Sequence, residues 1–278
     1  MKRIGAVLVM LGAVGCVANT QAPRVIGVSN SIIEPAAHLV NNIEGLLTKT
    51  SPSYVTLVIH DGTTEEIARA ENRMADAITS GSGFVIDPAG YVLTAGHVAI
   101  SPGWRVEARG PDGRIYKGRV IKVLKSNDLA LIKLERASGL RAVNPSTEPC
   151  LQVGEAVFSL GKPRKSGDTA RLGEVASMSF GRPVTYQEYG YPDAMVLKLE
   201  TRKGESGGPV FNTSGELTGM LVSTLSDASG RHLNLAHAVS TPDLARFVCS
   251  TLSCSARWNS LRSLNTKSCA SARSPRQS

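Results

Sequence analysis

An all-β fold, a sandwich or a barrel, is what this sequence predicts over most of its length. Three observations carry that prediction. From Tyr54 onward, short runs of β-branched and aliphatic residues follow one another at regular spacing. Gly, Pro or Asp punctuates most junctions between them, where chain reversal demands those backbone conformations. Almost no helical periodicity interrupts the series. With 278 residues, 42% hydrophobic and 19% charged, the chain can bury a sizeable core.

The first segment, "MKRIGAVLVMLGAVGCVANT", sets Lys2 and Arg3 before an apolar run over residues 4–15. That run is too short and too early for a permanent membrane-spanning helix, and it has the shape of a secretory signal. The small residues of "AVGC" before Cys16 resemble a bacterial lipobox, which would make residues 1–16 a lipoprotein signal and Cys16 the lipidated N-terminus. Ala13 stands where leucine is commoner in that motif. A cleaved signal ending near Ala18 or Ala22, or an uncleaved anchor, is the alternative. Each reading exports the body, most simply as a membrane-anchored lipoprotein of a bacterial envelope facing the periplasm.

Residues 17–51 read as a spacer with a short helix near "AAHLVNNIEGLL". "YVTLVIH" is the first core strand. "TTEEIARAENRMADAI", residues 63–78, has helical periodicity through Ile67, Met74 and Ile78 and reads as an insertion. "GFVIDPAGYVLTA" is a hairpin around Asp87-Pro88-Ala89-Gly90. Strands follow in "WRVEAR", "IYKGRVIKVL", "LALIKL", "EAVFSL", "EVASMSF", "AMVLKLE", "PVFN", "LTGMLVSTL" and "LNLAHAV". "STPDLARFV" then predicts one helix, with Thr241 as N-cap, Pro242 in the first helical position and Asp243 in the first turn. The Ser/Arg-rich tail, residues 250–278, shows no apolar period and is expected to be disordered.

The formal charge of +8 belongs to the chain ends. Lys2, Arg3, Arg257, Arg262, Lys267, Arg273 and Arg276 account for seven of it, and no acidic residue follows Asp243. The body at +1 gives no electrostatic reason to expect nucleic acid, and 5% aromatic residues argue against base-stacking platforms. Beyond Cys16, the cysteines Cys150, Cys249, Cys254 and Cys269 permit two disulfides in three connectivities in an exported chain. No pair has metal-finger spacing beside histidines, so no metal is expected.

The chemistry concentrates in "KGESGGPVFN". A serine hydroxyl is a weak nucleophile until a base takes its proton, and the base needs a partner to fix its tautomer. "LTAGHVA" offers His97 just after an apolar strand, "SNDLALIKL" offers Asp128 at the mouth of a buried one, and "GESGGP" offers Ser206 among glycines. A G-x-S-G-G-P string arises by chance at roughly one position in a million. Gly81-Ser82-Gly83, by contrast, reads as a flexible strand entry. His38, His60 and His232 have no neighbours that suggest a function.

With the order His97, Asp128, Ser206 and spacings of 31 and 78 residues, the sequence resembles trypsin-like (chymotrypsin-fold) serine proteases, most closely the protease domain of the bacterial HtrA (Deg) branch. "GSGFVIDPAGYVLTAGHV", "DLALIKL", "LQVGEAVFSLGKP", "GESGGPVFNTSGELTGM" and "NLAHAVSTPDLARFV" carry the resemblance, over residues 52–248. It implies two Greek-key six-stranded antiparallel β-barrels, over about 52–136 and 150–240, closed by a helix over 241–249. It also implies a Ser206–His97–Asp128 triad, an oxyanion hole made by the amides of Gly204 and Ser206, no cofactor, and protein or peptide substrates.

The same resemblance places the specificity pocket among Glu200, Thr201, Val222, Ser223, Thr224, Ala236 and His237. Glu200 lies six residues before Ser206, where it would favour a basic substrate residue unless Arg202 or Lys203 pairs with it at the surface. Glu205 stands where trypsin relatives often carry Asp and HtrA relatives Asn. "RVIGV", residues 24–28, faintly echoes an activation cut. Residues 249–278 are too few for the PDZ domain that HtrA proteases usually carry. The function implied is an exported serine endopeptidase of envelope or extracellular proteins, acting through an acyl-enzyme. A non-catalytic trypsin-fold lipoprotein that binds or scaffolds is the alternative, and an esterase using the same triad comes third.

Overall fold

The computed structural model describes residues 24–25, 34–62, 77–148, 150–163, 167–227 and 229–264. The signal segment with Cys16, most of the expected insertion and Cys269 lie outside the described residues.

Two closed six-stranded barrels organise the chain. The first joins β2 (Tyr54–His60), β3 (Ala77–Asp87), β4 (Tyr91–Ala95), β5 (Arg105–Arg109), β6 (Ile115–Leu124) and β7 (Leu129–Leu134), in the order β2-β3-β4-β7-β6-β5. The second joins β8 (Ala156–Gly161), β9 (Thr169–Ser177), β12 (Met195–Lys198), β13 (Pro209–Asn212), β14 (Leu217–Ser226) and β15 (His232–Ser240), and the β8–β9 pairing closes it. Strand β1 (Arg24–Val25) lies parallel on β9. All pairings within the barrels are antiparallel, as short turns between successive strands require.

Local chemistry explains the elements. The β3–β4 turn forms at Asp87-Pro88-Ala89-Gly90 as expected: Asp87 Oδ1 accepts the Ala89 amide at 2.7 Å, and Gly90 adopts φ +91°. Strand β5 alternates buried Val106 and Ala108 with outward Arg105, Glu107 and Arg109. Strand β8 is buried along its whole length, because its outer face is covered by helix α1 (Glu34–Thr50) and the first barrel. Leu39, Ile43, Leu46 and Leu47 form the buried face of α1, recurring at helical spacing. At 17 residues α1 is longer than the short helix expected in the spacer.

Four further expectations need correction. Ile78 stands in β3, half exposed, rather than on an insertion helix. The N-cap of α3 (Thr241–Cys249) is Ser240, one residue earlier than expected, because Thr241 Oγ1 donates to Leu217 O and is drawn into the fold. The tail is ordered through residue 264: α4 (Ala256–Leu261) buries Trp258 and Leu261, and Cys249–Cys254 form a disulfide at the bend between the two helices. Cys150 is disulfide-bonded as well. Last, a short hairpin, β10 (Val184–Tyr186) with β11 (Tyr189–Tyr191), lies in a stretch the strand pattern passes over.

Candidate active site

The two barrels meet where three segments converge. His97 rides on a one-turn helix, α2 (Gly96–Ala99), directly after β4. The register of β4 against β7 sets Ala95 opposite Leu129, so Asp128 arrives beside it. Gly96 N donates to Asp128 O at 2.9 Å, closing the two strand ends onto each other. Asp128 follows the single turn Lys125–Asn127 in the left-handed conformation, φ +49°, which aspartate tolerates better than most residues. Its side chain is fully buried.

Burial of a carboxylate demands donors, and Asp128 has them. Oδ1 accepts the His97 amide at 2.8 Å, and His97 Nδ1 lies 2.9 Å from Oδ2 and 3.1 Å from Oδ1. The Tyr186 hydroxyl also donates to Oδ2 and lies 3.1 Å from His97 Nδ1. This geometry requires a hydrogen on Nδ1 and leaves the lone pair on Nε2.

Ser206 comes from the second barrel, in the turn before β13. Gly204, at φ +104°, and Gly207, at φ +83°, flank it in conformations that L side chains resist. A Cβ on Gly207 would sit 2.2 Å from Ser82 O and 2.3 Å from Thr94 Oγ1, so only glycine lets this turn lie against β3 and β4. Ser82 ties it down: its amide donates to Ser206 O at 2.9 Å and its hydroxyl to Gly204 O at 2.9 Å. The stretch Gly81-Ser82-Gly83, read from sequence as a flexible strand entry, is therefore a buried anchor for the serine loop. Among the described residues, neither the Gly204 nor the Ser206 amide donates to a protein acceptor, and no hydrogen bond joins Ser206 Oγ to His97. Both residues keep part of their surface open to solvent.

Glu205 points inward. Arg171 Nε on β9 donates to its Oε1 at 2.9 Å, and the Arg202 amide to its Oε2 at 2.7 Å. Burial pushes the carboxyl up, against the pull of Arg171 and the Arg202 amide.

The residues expected to line a pocket divide. Thr201 Oγ1 and Thr224 Oγ1 bond at 2.5 Å, Val222 and Ala236 are buried, and Ser223 Oγ bonds the Tyr191 hydroxyl at 2.7 Å. His237 Nδ1 bonds the same hydroxyl at 2.7 Å, and Phe180 lies 4.4 Å from its ring. Glu200 is half exposed and pairs with Arg202 at 2.9 Å, the surface pairing that the sequence leaves open. Sequence reasoning missed Tyr186 and Arg171. The signal for the first was "TYQEYGY", which holds half of the chain's six tyrosines; for Arg171 there was none. Among the described residues, no group of three or more His, Cys, Asp or Glu is placed to hold a metal ion.

A model of the trypsin-like peptidase domain matches residues 81–220, half of the chain. The chain belongs to the trypsin-like peptidase family. Among curated relatives, this trypsin-like peptidase is 32% identical over 174 residues to a Haemophilus influenzae protein named "Probable periplasmic serine protease do/HhoA-like", covering 60% of this chain and 35% of that protein. It is 33% identical over 147 residues to the mitochondrial serine protease HTRA2 of Drosophila pseudoobscura pseudoobscura, covering 51% of this chain and 33% of that one. The chain thus spans about a third of the length of these relatives. The solved structure of the HtrA-type protease AlgW with tripeptide superposes at a TM-score of 0.60 with 22% identity, over 75% of this chain and 62% of that chain. That likeness is one of fold, and it covers both barrels of the trypsin-like peptidase architecture.

Proposed function

We propose that this trypsin-like peptidase is a serine endopeptidase of HtrA type, exported and anchored through a lipid on Cys16, acting on proteins of the envelope. The observation that carries the hydrolytic reading is the His97–Asp128 pair, a buried carboxylate holding Nδ1–H at 2.9 Å; Ser206 stands in a glycine-flanked turn tied to strand β3 through Ser82. The name of the Haemophilus influenzae relative and the apolar run before Cys16 support the export reading.

The chemistry follows from the positions. Ser206 Oγ bonds to the scissile carbonyl carbon as its proton moves to His97 Nε2, and the carbonyl electrons move onto oxygen. The imidazolium is balanced by Asp128, which keeps its charge. The amides of Gly204 and Ser206, free of protein acceptors, donate to the oxyanion; one such donor is typically worth about 3–4 kcal/mol in the transition state. Collapse breaks the C–N bond, and His97 gives its proton to the leaving amine. Water then repeats the sequence on the acyl-enzyme, releasing the acid and restoring Ser206.

For specificity we propose an uncharged residue before the scissile bond. Thr201, Val222, Ser223, Thr224 and Ala236 carry no charge, and burial pushes His237 down to about 4, so it is neutral at working pH. Glu200, the carboxylate of the set, is engaged at the surface by Arg202.

The test is fluorophosphonate labelling of protein lacking residues 1–16, with the adduct located by mass spectrometry. We expect modification of Ser206, none in Ser206→Ala, and a rate lower by about four orders of magnitude or more in His97→Ala. Unlabelled protein from the same preparation then enters a peptide library, where uncharged residues should precede the cut. A folded protein that does not label at Ser206 overturns the reading in favour of a binding or scaffold module.

A further inference from the structure

Hairpin β10–β11 belongs by sequence to the second barrel, yet it docks on the first. Lys125 Nζ, in the turn before Asp128, pairs with Glu188 Oε2 at 2.5 Å and stands 5.9 Å above the Tyr189 ring. Tyr189 OH reaches Ile100 O at 3.5 Å, just past α2. These contacts press Tyr186 against the acid–base pair. Its ring meets the His97 imidazole edge-on, with centroids 5.7 Å apart at 74°.

A phenol has one proton to give. Donated to Asp128 Oδ2, it leaves the oxygen lone pairs facing His97 Nδ1 at 3.1 Å. A bare Nδ1 would meet those lone pairs in repulsion, whereas Nδ1–H is shared between the phenol and the carboxylate. We propose that Tyr186 is a positioning residue of the hydrolytic site: its hydroxyl draws off part of the charge that Asp128 presents to His97 and holds the imidazole as the Nδ1–H tautomer. The inference rests on the reading of Ser206, His97 and Asp128 as a catalytic set.

The surroundings keep the phenol a donor. Burial first, then Asp128, pushes the Tyr186 hydroxyl far above the ordinary tyrosine range. The other groups facing the pair are Tyr189 and Tyr191, both pushed up to about 12 and so neutral. Beyond them lie Lys125 and Glu188, paired with each other in solvent. Tyr186 is thus the side chain, besides His97, that bonds the Asp128 carboxylate among the described residues.

The consequence has a sign. Tyr186→Phe keeps the ring and removes the donor, so Asp128 directs more of its charge at the imidazole and favours the imidazolium. The acidic limb of the rate profile then moves to higher pH, by about 0.5–1 unit. A 3-fluorotyrosine at position 186, a stronger donor, moves it down. Two readouts on the intact chain decide: fluorophosphonate labelling of Ser206 between pH 4 and 9, and the pH midpoint of the His97 Cε1–H resonance, which needs no activity.

We expect the midpoint to rise in Tyr186→Phe and to fall with 3-fluorotyrosine. A midpoint that is unmoved or lower in Tyr186→Phe overturns the inference, even where labelling slows, because the ring then acts by packing alone. If wild-type protein fails to label at any pH while the Tyr186→Phe midpoint rises, the hydrolytic reading falls and the coupling of Tyr186 to His97 stands.

Discussion

His237 is 3% exposed, with its Nδ1 bonded to Tyr191 and its Nε2 buried without a partner. Burial keeps it neutral in the fold down to about pH 4, while the unfolded chain protonates it near its ordinary value of 6.5. The folded value is depressed, so the unfolded state binds the extra proton. Its stability contribution is therefore complete above about pH 6.5 and is lost as the pH falls toward 4. At pH 4.5 the loss relative to neutrality is about 2–3 kcal/mol. Urea unfolding of wild type and His237→Gln at pH 7 and 4.5 checks it: the wild type should lose more, and parallel losses would assign the acid sensitivity elsewhere. Ser206, His97 and Asp128 were legible as candidates because each sits in a local motif whose strand and turn context shows in the residues themselves. Ser82 was not, since its importance lies in bonds to Gly204 and Ser206, more than 120 residues away.

Among the elements, β9 bears on the site from behind. It delivers Arg171, 3% exposed, to Glu205, 1% exposed, one residue before Ser206. A buried ion pair is costly to break on one side, because the remaining charge loses both partner and water. Arg171→Met should lower stability by about 3–5 kcal/mol. In Arg171→Met/Glu205→Gln much of that loss should return, since glutamine carries no charge yet still accepts the Arg202 amide. A double-mutant cycle of denaturant midpoints measures the coupling, and additive losses would show that the two side chains act independently. The strands containing these residues were legible by their alternation and turn residues. The β10–β11 hairpin was not: its strands are too short to display a period, and its place over Asp128 comes from docking on the Lys125–Asn127 turn of the other barrel.

For the molecule as a whole, the site exists because two closed barrels are held in one relation. Arg109 of the first pairs with Asp168 of the second at 3.1 Å, and the Ser82 bonds cross the same boundary. The C-terminal segment reinforces the assembly: Arg257 Nε donates to Pro145 O in the connection between the barrels and Nη2 to Glu216 at 2.8 Å, while Trp258 is 4% exposed. Trp258→Ala should cost about 3–5 kcal/mol, read as a lower thermal or denaturant midpoint. An unchanged midpoint would mean that α4 adds nothing to the fold. By itself the sequence determined the all-β class, the turn chemistry and the three candidate catalytic side chains, because strand alternation, glycine conformation and motif spacing are local properties. Tertiary structure alone decided that Tyr186 reaches Asp128, that Arg171 faces Glu205, that Glu200 turns to Arg202 at the surface, and that the tail packs through Trp258. Most of those contacts join segments distant in the chain, and all are set by strand register, barrel closure and competition for burial, which no local pattern encodes.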